Sequence, residues 1–233
     1  MEAKQIIIAV VIILLLYIVI RMISSKSTVI SGMKSAKDTS TVSPDELPDN
    51  NNTNNYTYSM WFYVDDWSYR YGEPKIILGR LDSKKEPSPS VILGAIENNV
   101  QINVACYADN NSDSFQVHKC GIANVPIQKW VNLIISLYGR TLDVYLDGKL
   151  VRTCVLPGIA KVNDNASIYI TPEGGFSGYT AKVQYLADAT NPQEAYNIYK
   201  EGYGDSIFGG LMSKYQLKVS FLEDSVEQGS IEI

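Results

Sequence analysis

The stretch from Trp130 to Val155, which reads WVNLIISLYGRTLDVYLDGKLVRTCV, constrains the fold more than any other part of the chain. Apolar and polar residues alternate on both sides of the Gly139-Arg140 break, and this period of two is typical of half-buried β-strands. Asp147-Gly148 supplies a two-residue turn, after which a β-branched run returns as a third strand. The stretch therefore predicts three antiparallel strands with one apolar face, which needs a second sheet to cover it.

The residues in and around this stretch resemble the laminin-G-like branch of the concanavalin A-like lectins and glucanases. The resemblance rests on the Trp that opens the first strand and on the run LDVYLDGKLV, residues 142–151. Other matching pieces follow in the family's order: strands at Tyr56–Val64 and Ile76–Arg80, a closing strand after Phe176, and a short helix at Asn191–Lys200. The resemblance implies an all-β, two-sheet antiparallel jelly-roll sandwich with one short helix. This fold hosts lectins, hydrolases, adhesion modules and structural domains, so it does not by itself identify a function.

The first 23 residues predict a single transmembrane helix ahead of the sandwich. Uninterrupted apolar residues run from Ile6 to Ile20, and two more follow Arg21, whose long side chain can snorkel to the interface. The total approaches the roughly 20 residues that cross a hydrocarbon core of about 30 Å. A cleaved signal peptide is the alternative, but Arg21 follows the apolar run directly and no small-x-small cleavage site precedes it. We therefore expect residues 5–23 to contact a lipid membrane.

The charges that flank this predicted anchor favour a cytosolic position for the rest of the chain. Lys4 precedes the apolar run, whereas Arg21, Lys26, Lys34 and Lys37 follow it, and the Lys/Arg-rich side of an anchor stays on the cytosolic face. Glycosylation sequons argue for a lumenal or extracellular domain if they are used. They lie at Asn51, Asn55, Asn110 and Asn165.

Three further segments follow the anchor. Residues 24–54 are rich in Ser, Thr, Asp, Asn and Lys without a sustained apolar period, which predicts a polar linker. The sandwich is expected at residues 55–204. In the C-terminal segment, residues 205–233, alternating apolar residues around Val219 predict one more strand, which either caps the sandwich or adds to a neighbour's sheet.

The sequence shows no pattern of catalytic residues. Hydrolytic members of the superfamily carry a Glu-x-Asp-x-x-Glu set, because an acid and a nucleophile must flank the glycosidic bond at about 5 Å. No such triplet occurs here, and the only histidine, His118, has no nucleophile motif beside it. The net charge of −5, with both signs interspersed, gives no electrostatic footprint for nucleic acid. We therefore expect a protein that is not an enzyme, needs no cofactor and binds no nucleic acid.

One weak calcium candidate lies in the middle of the chain. Asp109, Asn111 and Asp113 have the one-three-five oxygen spacing of a calcium loop. A serine at the sixth position and a cysteine at the twelfth exclude an EF-hand loop, which needs glycine and glutamate there. A looser calcium site at the rim of the sandwich stays open, as does the alternative of a solvated hairpin tip.

The three cysteines are an odd set in a chain large enough to fold without disulfides. Cys106 and Cys120 are a candidate pair if the segment between them forms a hairpin. A metal site that combines these two cysteines with His118 matches no known zinc spacing.

A contact surface is predicted at the loop DDWSYRYGEP, residues 65–74. Trp67, Tyr69 and Tyr71 surround Arg70, so aromatic faces lie beside a planar polar group. Such a cluster can stack on a sugar ring and hydrogen-bond its hydroxyl groups, or hold a protein partner. The alternative interpretation is a lid that packs over the edge of the sandwich.

Two functions are consistent with these features. The anchor, linker and catalytically bare domain together resemble the membrane and minor capsid proteins of large icosahedral DNA viruses with an internal membrane, such as the chlorella viruses. That resemblance implies a structural virion protein that tethers the internal membrane to the capsid shell and binds capsid or other assembly proteins. The alternative is a membrane-anchored carbohydrate-binding lectin or adhesion module whose domain lies outside the cell.

Overall fold

The computed structural model of the protein describes residues 13, 16–17, 28–48, 53–81, 86–108, 111–204, 218–223 and 226–232. The strands are β1 (Thr28–Ser31), β2 (Lys34–Ser35), β3 (Ser40–Val42), β4 (Tyr56–Asp66), β5 (Lys75–Leu81), β6 (Pro87–Leu93), β7 (Val100–Ala108), β8 (Asn111–Ile122), β9 (Trp130–Tyr138), β10 (Thr141–Leu146), β11 (Lys149–Val155), β12 (Ile168–Ile170), β13 (Ser177–Leu186), β14 (Lys218–Glu223) and β15 (Val226–Glu232). The α-helix α1 spans Pro192–Lys200, and short 3-10 helices span Pro44–Glu46 and Pro172–Gly174.

Two antiparallel sheets form the sandwich. The seven-stranded sheet has the order β1-β13-β4-β9-β10-β11, with β2 also paired to β13, and the six-stranded sheet has the order β3-β12-β5-β6-β7-β8. Alternate residues of β9, from Val131 to Leu137, are buried in the core between the sheets, as the period of two predicts. The predicted all-β, two-sheet antiparallel sandwich with one short helix is confirmed.

The helix α1 covers the outer face of the seven-stranded sheet. Its N-terminus is capped reciprocally, because the Asn191 side chain accepts from the Glu194 N–H and the Glu194 carboxylate accepts from the Asn191 N–H. Ala195 and Ile198 pack on the sheet beside Tyr145. In the described part of the chain, no α-helix covers the outer face of the six-stranded sheet.

Residues 28–42 differ from the predicted linker. They form β1 and β2, which pair with β13, and β3, which pairs with β12, so they supply an edge strand to each sheet. Strands of two to four residues are too short to show an alternating pattern, and their pairing partners lie far along the chain. The sandwich therefore begins no later than Thr28 rather than at residue 55.

A disulfide joins Cys120 on β8 to Cys154 on β11, with 6.1 Å between the two Cα atoms. The candidate pair Cys106–Cys120 is therefore wrong, and Cys106 is a free, buried cysteine. The β7–β8 hairpin does form, but its register places Cys106 opposite Gln116. Because β8 and β11 are the last strands of their sheets, the disulfide connects the two sheets along one edge.

The predicted anchor and the predicted last strand lie at the two ends of the chain. The predicted anchor, residues 1–23, lies outside the described residues except for Ile13, Leu16 and Tyr17, which are helical and exposed. Across the described ranges, no helix is both long enough and apolar enough to cross a bilayer. The strand predicted around Val219 corresponds to β14, which pairs with β15 in an antiparallel hairpin.

Candidate ligand-binding site

A groove of about 470 Å³ lies on the outer face of the six-stranded sheet. A row of side chains crosses the sheet here, because each member pairs directly with the next in the strand register. The row runs Thr41, Tyr169, Gly79, Ser90, Asn103 and Lys119. Residues paired in this way point to the same side of a sheet, and the four middle members, from Tyr169 to Asn103, line the groove. We call this row the groove row.

Gly79 makes a notch in the middle of the groove row. A Cβ added at Gly79 would meet only Ile76 Cγ2 and Leu81 Cγ, each at 3.9 Å, so the space above this residue is open. Tyr169 stands beside the notch, with 38% of its surface exposed. The absence of a side chain at Gly79 therefore leaves one flank of the Tyr169 ring accessible. Glycine inside a strand often marks such a close approach of a ligand.

The other side of the notch is polar and fixed by hydrogen bonds. Gln101 Nε2 donates to Asn103 Oδ1 at 2.7 Å, and Asn103 Nδ2 donates to Ser90 Oγ at 3.3 Å. Because the Ser90 oxygen accepts in this chain of bonds, its own O–H is oriented to donate elsewhere. Asn103 and Ser90 are both buried, so this polar strip is held in place before any ligand arrives.

Apolar side chains form the walls around the polar strip. They include Ile76, Ile92, Val117 and Pro172. Glu173, which follows Pro172 in the chain, supplies one carboxylate to the groove. An aromatic ring, an apolar rim and a short line of fixed hydrogen-bonding groups are the features of a site for a small amphipathic ligand.

A second, more open cleft of about 760 Å³ lies at the rim of the sandwich. It is formed where the loops 65–74, 94–99 and 123–129 meet, and Ile96 and Ile127 are exposed along it. Asn98 helps to hold two of these loops together by donating from Nδ2 to the Val125 carbonyl at 2.9 Å.

The residues predicted to make a contact surface lie in the loop 65–74 of this rim. Trp67 Nε1 donates to the Ile96 carbonyl at 3.0 Å, and Tyr69 OH donates to the Gly174 carbonyl at 3.2 Å. Arg70 Nη1 donates to the Glu173 carbonyl, in the same turn as Gly174, at 2.5 Å. Three of the four predicted residues therefore fasten the loop to its neighbours, and Tyr71, at 62% exposure, is the one that projects into solvent.

Charged groups also hold the loop 65–74 in place. The Lys75 ammonium lies 4.8 Å from the centre of the Trp67 ring, and burial, with a smaller contribution from Arg70, lowers the pKa of Lys75. Hydrogen bonds from the Ser68 side chain and backbone lower the pKa of Asp66. Both interactions hold the loop in one conformation.

We predict that Arg70→Gln loosens the lid without unfolding the sandwich. The change removes the ion pair with Glu73, at 2.9 Å, and the bonds to the Glu173 and Gly175 carbonyls. Because these contacts are exposed or only partly buried, we expect a stability loss of no more than about 1 kcal/mol. Hydrogen exchange should speed up in 66–74 and 171–176 only. An unchanged exchange rate in both segments would contradict the lid assignment.

Comparison with known proteins identifies the fold family. The family model described as concanavalin A-like lectin/glucanases superfamily, of the laminin G type, matches residues 35–195. The chain belongs to the concanavalin A-like lectin/glucanases superfamily. This result confirms the resemblance drawn from the meander around Asp147-Gly148. No curated protein matches the chain.

Solved structures similar to this superfamily member include botulinum neurotoxin domains. The receptor binding domain of serotype D is 13% identical, covering 74% of this chain and 44% of that chain with a TM-score of 0.55. The C/D mosaic receptor binding domain is also 13% identical, and the match covers 75% of this chain and 44% of that chain with a TM-score of 0.54. The serotype D ligand binding domain in complex with N-acetylneuraminic acid is 12% identical. That match covers 76% of this chain and 46% of that chain with a TM-score of 0.53. The match spans less than half of each neurotoxin domain, and at these identities it shows the fold alone.

The calcium candidate of this superfamily member stays a prediction. Asp109 lies outside the described residues, as do the side chains of Asn111 and Asp113 on β8. Among the side chains that the structure describes, no three His, Cys, Asp or Glu residues cluster closely enough to hold a metal ion.

The groove was not predicted from the sequence. One local signal pointed to it, namely the glycine inside the apolar strand that contains Gly79. The contributions of Tyr169, Ser90 and Asn103 depend on the registers of four strands, which no local pattern specifies.

Proposed function

We propose that this protein is a non-catalytic, membrane-anchored lectin that binds a carbohydrate in the groove of its six-stranded sheet. The observation that carries the proposal is the Tyr169 ring standing beside the open notch at Gly79, opposite the fixed Asn103–Ser90 strip. A pyranose presents a C–H face that stacks on an aromatic ring and hydroxyl groups that pair with amides and serine. Both kinds of partner lie within this groove.

Two facts support the class of ligand and the absence of catalysis. The serotype D ligand binding domain, which shares the fold over 46% of its length, is known in complex with the sugar N-acetylneuraminic acid. Among the described residues that line the groove, Glu173 carries the only carboxylate, whereas glycoside hydrolysis needs two. A groove with one carboxylate is suited to binding a sugar without cleaving it.

The Cys120–Cys154 disulfide bears on the compartment. Disulfides persist in oxidising environments and are rare in the cytosol. The disulfide therefore favours a domain on the non-cytosolic side of the membrane, where a lectin meets its glycans. The Lys/Arg bias that follows the anchor favours the opposite side. The disulfide is the stronger indication, because it lies inside the folded domain.

A structural tether between a virion's internal membrane and its capsid shell is the second candidate. The Lys/Arg bias favours it, because the cytosolic side of such a membrane faces the shell. The strands at residues 28–42 shorten the reach that a long linker would give such a tether. Co-purification with shell proteins and unmodified sequons would support this candidate.

We predict that Gly79→Val removes carbohydrate binding and leaves the fold intact. The added side chain fills the notch beside Tyr169, and its Cβ makes only ordinary contacts. Glycan arrays that include N-acetylneuraminic acid identify the ligand, and titration should show at least a tenfold weaker Kd, or about 1.4 kcal/mol.

Gly121→Val is the matched control. Gly121 lies on β8 of the same sheet, pairs with Gln101 and has open space above it. We expect it to bind like the unaltered protein, and Tyr169→Ala to weaken binding as Gly79→Val does. If the Gly79→Val variant still binds glycans on the array, the binding site does not lie in the groove. If the wild-type protein binds no glycan, the proposed lectin function is wrong.

A further inference from the structure

The chain enters the sandwich at one particular end. Thr28, the first residue of β1, pairs with Tyr185 near the end of β13. Strand β4 begins at this end too, and its Tyr56 pairs with Leu137 near the end of β9. The turn between β9 and β10 and the end of β11 lie here for the same reason. We call this end of the sandwich the tether end; the loops 65–74, 94–99 and 123–129 lie at the opposite end.

The sequence leaves little chain between the tether end and the predicted anchor. The anchor ends at Ile23, and only residues 24–27 separate it from Thr28. Five Cα–Cα steps reach at most about 18 Å even when fully extended. The polar headgroup layer takes up about 5–8 Å of that distance. A sandwich tied this closely cannot stand away from the bilayer.

Among the described residues of the sandwich, the two most exposed large apolar side chains lie at the tether end. Tyr138 is 70% exposed and Val155 is 68% exposed. Both pair with Thr141 in the register of β9, β10 and β11, so the two side chains point to the same face. Ile159, on the loop after β11, is 55% exposed. At about 4.8 Å per strand, Tyr138 lies about 14 Å from the strand that the anchor leads into.

An arginine lies among these apolar side chains. Arg140, in the turn after Tyr138, donates from Nη2 to the Leu156 carbonyl at 2.9 Å and to the Pro157 carbonyl at 2.7 Å. These bonds join the turn to the loop that carries Ile159. Arg140 forms no ion pair with any described residue. Tyrosine and arginine with apolar neighbours are typical of side chains that sit at the headgroup level of a bilayer.

The charge at the tether end indicates which lipid surface it fits. Among the described loop residues at this end, Arg140 and Lys161 are outnumbered by acidic residues, namely Asp45, Glu46, Glu86, Asp164 and Asp188. The described side chains therefore give this end no excess of positive charge that would attract anionic lipids. Contact would come from the apolar side chains, so a zwitterionic bilayer suffices.

We infer that the tether end rests directly on the bilayer, with Tyr138, Val155 and Ile159 at the depth of the lipid headgroups. The inference rests on the membrane anchor of the proposed function and not on its carbohydrate site. This contact holds the strands upright on the membrane. The rim loops then face away from the bilayer, and the groove opens to the side. The same apolar side chains would otherwise be exposed to water without a partner.

Fluorescence quenching in vesicles tests the contact on the full-length protein. Ile159→Cys and Ile96→Cys each receive a bimane label, and the proteins are reconstituted in phosphatidylcholine vesicles that contain nitroxide-headgroup lipid. Ile96 is the matched control, since it is an isoleucine at the opposite end with 62% exposure. Cys106 is buried, so it leaves the labelling selective. We expect quenching several-fold stronger at position 159 than at position 96, and the same in high salt.

The outcomes separate this inference from the proposed function. Vesicle flotation together with equal quenching at the two positions overturns the inference and leaves the anchor standing. A protein that does not float with the vesicles overturns both the inference and the anchor. Carbohydrate binding, measured on arrays, is independent of either result.

Discussion

Replacing Cys120 and Cys154 together by serine is expected to lower the free energy of unfolding by about 4 kcal/mol. The disulfide spans 34 positions of sequence, and in the chain-entropy model a loop of this length restricts the unfolded chain by about that amount. It also holds the last strand of one sheet against the last strand of the other. Urea unfolding of the oxidised protein and the double variant, followed by tryptophan fluorescence, measures the difference.

Cys106→Ala is the control for this experiment. It removes a buried thiol and leaves the disulfide in place, so a loss of about 1 kcal/mol is expected. Burial raises the pKa of the Cys106 thiol, which keeps it protonated and a poor competitor in disulfide exchange near neutral pH. Equal losses in the two variants would show that the bond between β8 and β11 contributes nothing specific.

Arg80→Met is expected to lower the free energy of unfolding by about 3 kcal/mol. Arg80 is 2% exposed, and it donates from Nε to the Ala166 carbonyl at 3.1 Å and from Nη2 to the Asp164 carbonyl at 2.9 Å. Methionine preserves most of the packing but leaves these carbonyls without a donor, and a broken buried charge-assisted network costs this much. The Arg80 guanidinium also lies near the Tyr58 hydroxyl group. Burial raises the pKa of Tyr58, and the Arg80 charge opposes part of that rise.

Hydrogen exchange locates the damage in the Arg80 variant. Protection should fall first in the loop 161–167 and in β12, because Arg80 holds the loop that leads into this strand. Arg152→Met on exposed β11 is the control and should change stability by less than about 0.5 kcal/mol. A uniform loss of protection, or a large effect in the control, would contradict a local role for Arg80.

The central meander could be predicted because its signals are local. The alternation in β9 and β10 and the turn at Asp147-Gly148 lie within a few residues of one another, and both turn residues adopt the expected positive φ. The helix α1 could be predicted for the same reason, since Asn191, Pro192 and Glu194 mark its start. Its position on the outer face of the seven-stranded sheet could not.

The features that sequence reasoning missed all depend on distant parts of the chain. The short strand β3 exists only because β12 accepts it as a neighbour, and its composition is that of a loop. The partner of Cys120 depends on how the two sheets stack, whereas the interpretation that paired it with Cys106 used the hairpin alone. The groove row likewise needs the registers of five strand pairs at once.

The aromatic loop shows why composition alone could not distinguish a binding surface from a lid. Trp67, Tyr69 and Arg70 have the same residue types in either role. What distinguishes the roles is the set of carbonyls they reach, and the Gly174 carbonyl lies more than a hundred residues away. Tyr71 is the only one of the four that still offers an exposed ring.

The edge strands supplied by residues 28–42 set a limit on how the sandwich can be produced as a recombinant fragment. A recombinant fragment that starts at Tyr56 would lose β1, β2 and β3 and turn β13 and β12 into open edges. An uncovered edge as long as the ten residues of β13 is a template for pairing with other chains and hence for aggregation. Fragments for expression and crystallisation should therefore begin before Thr28, even though their first residues look dispensable by composition.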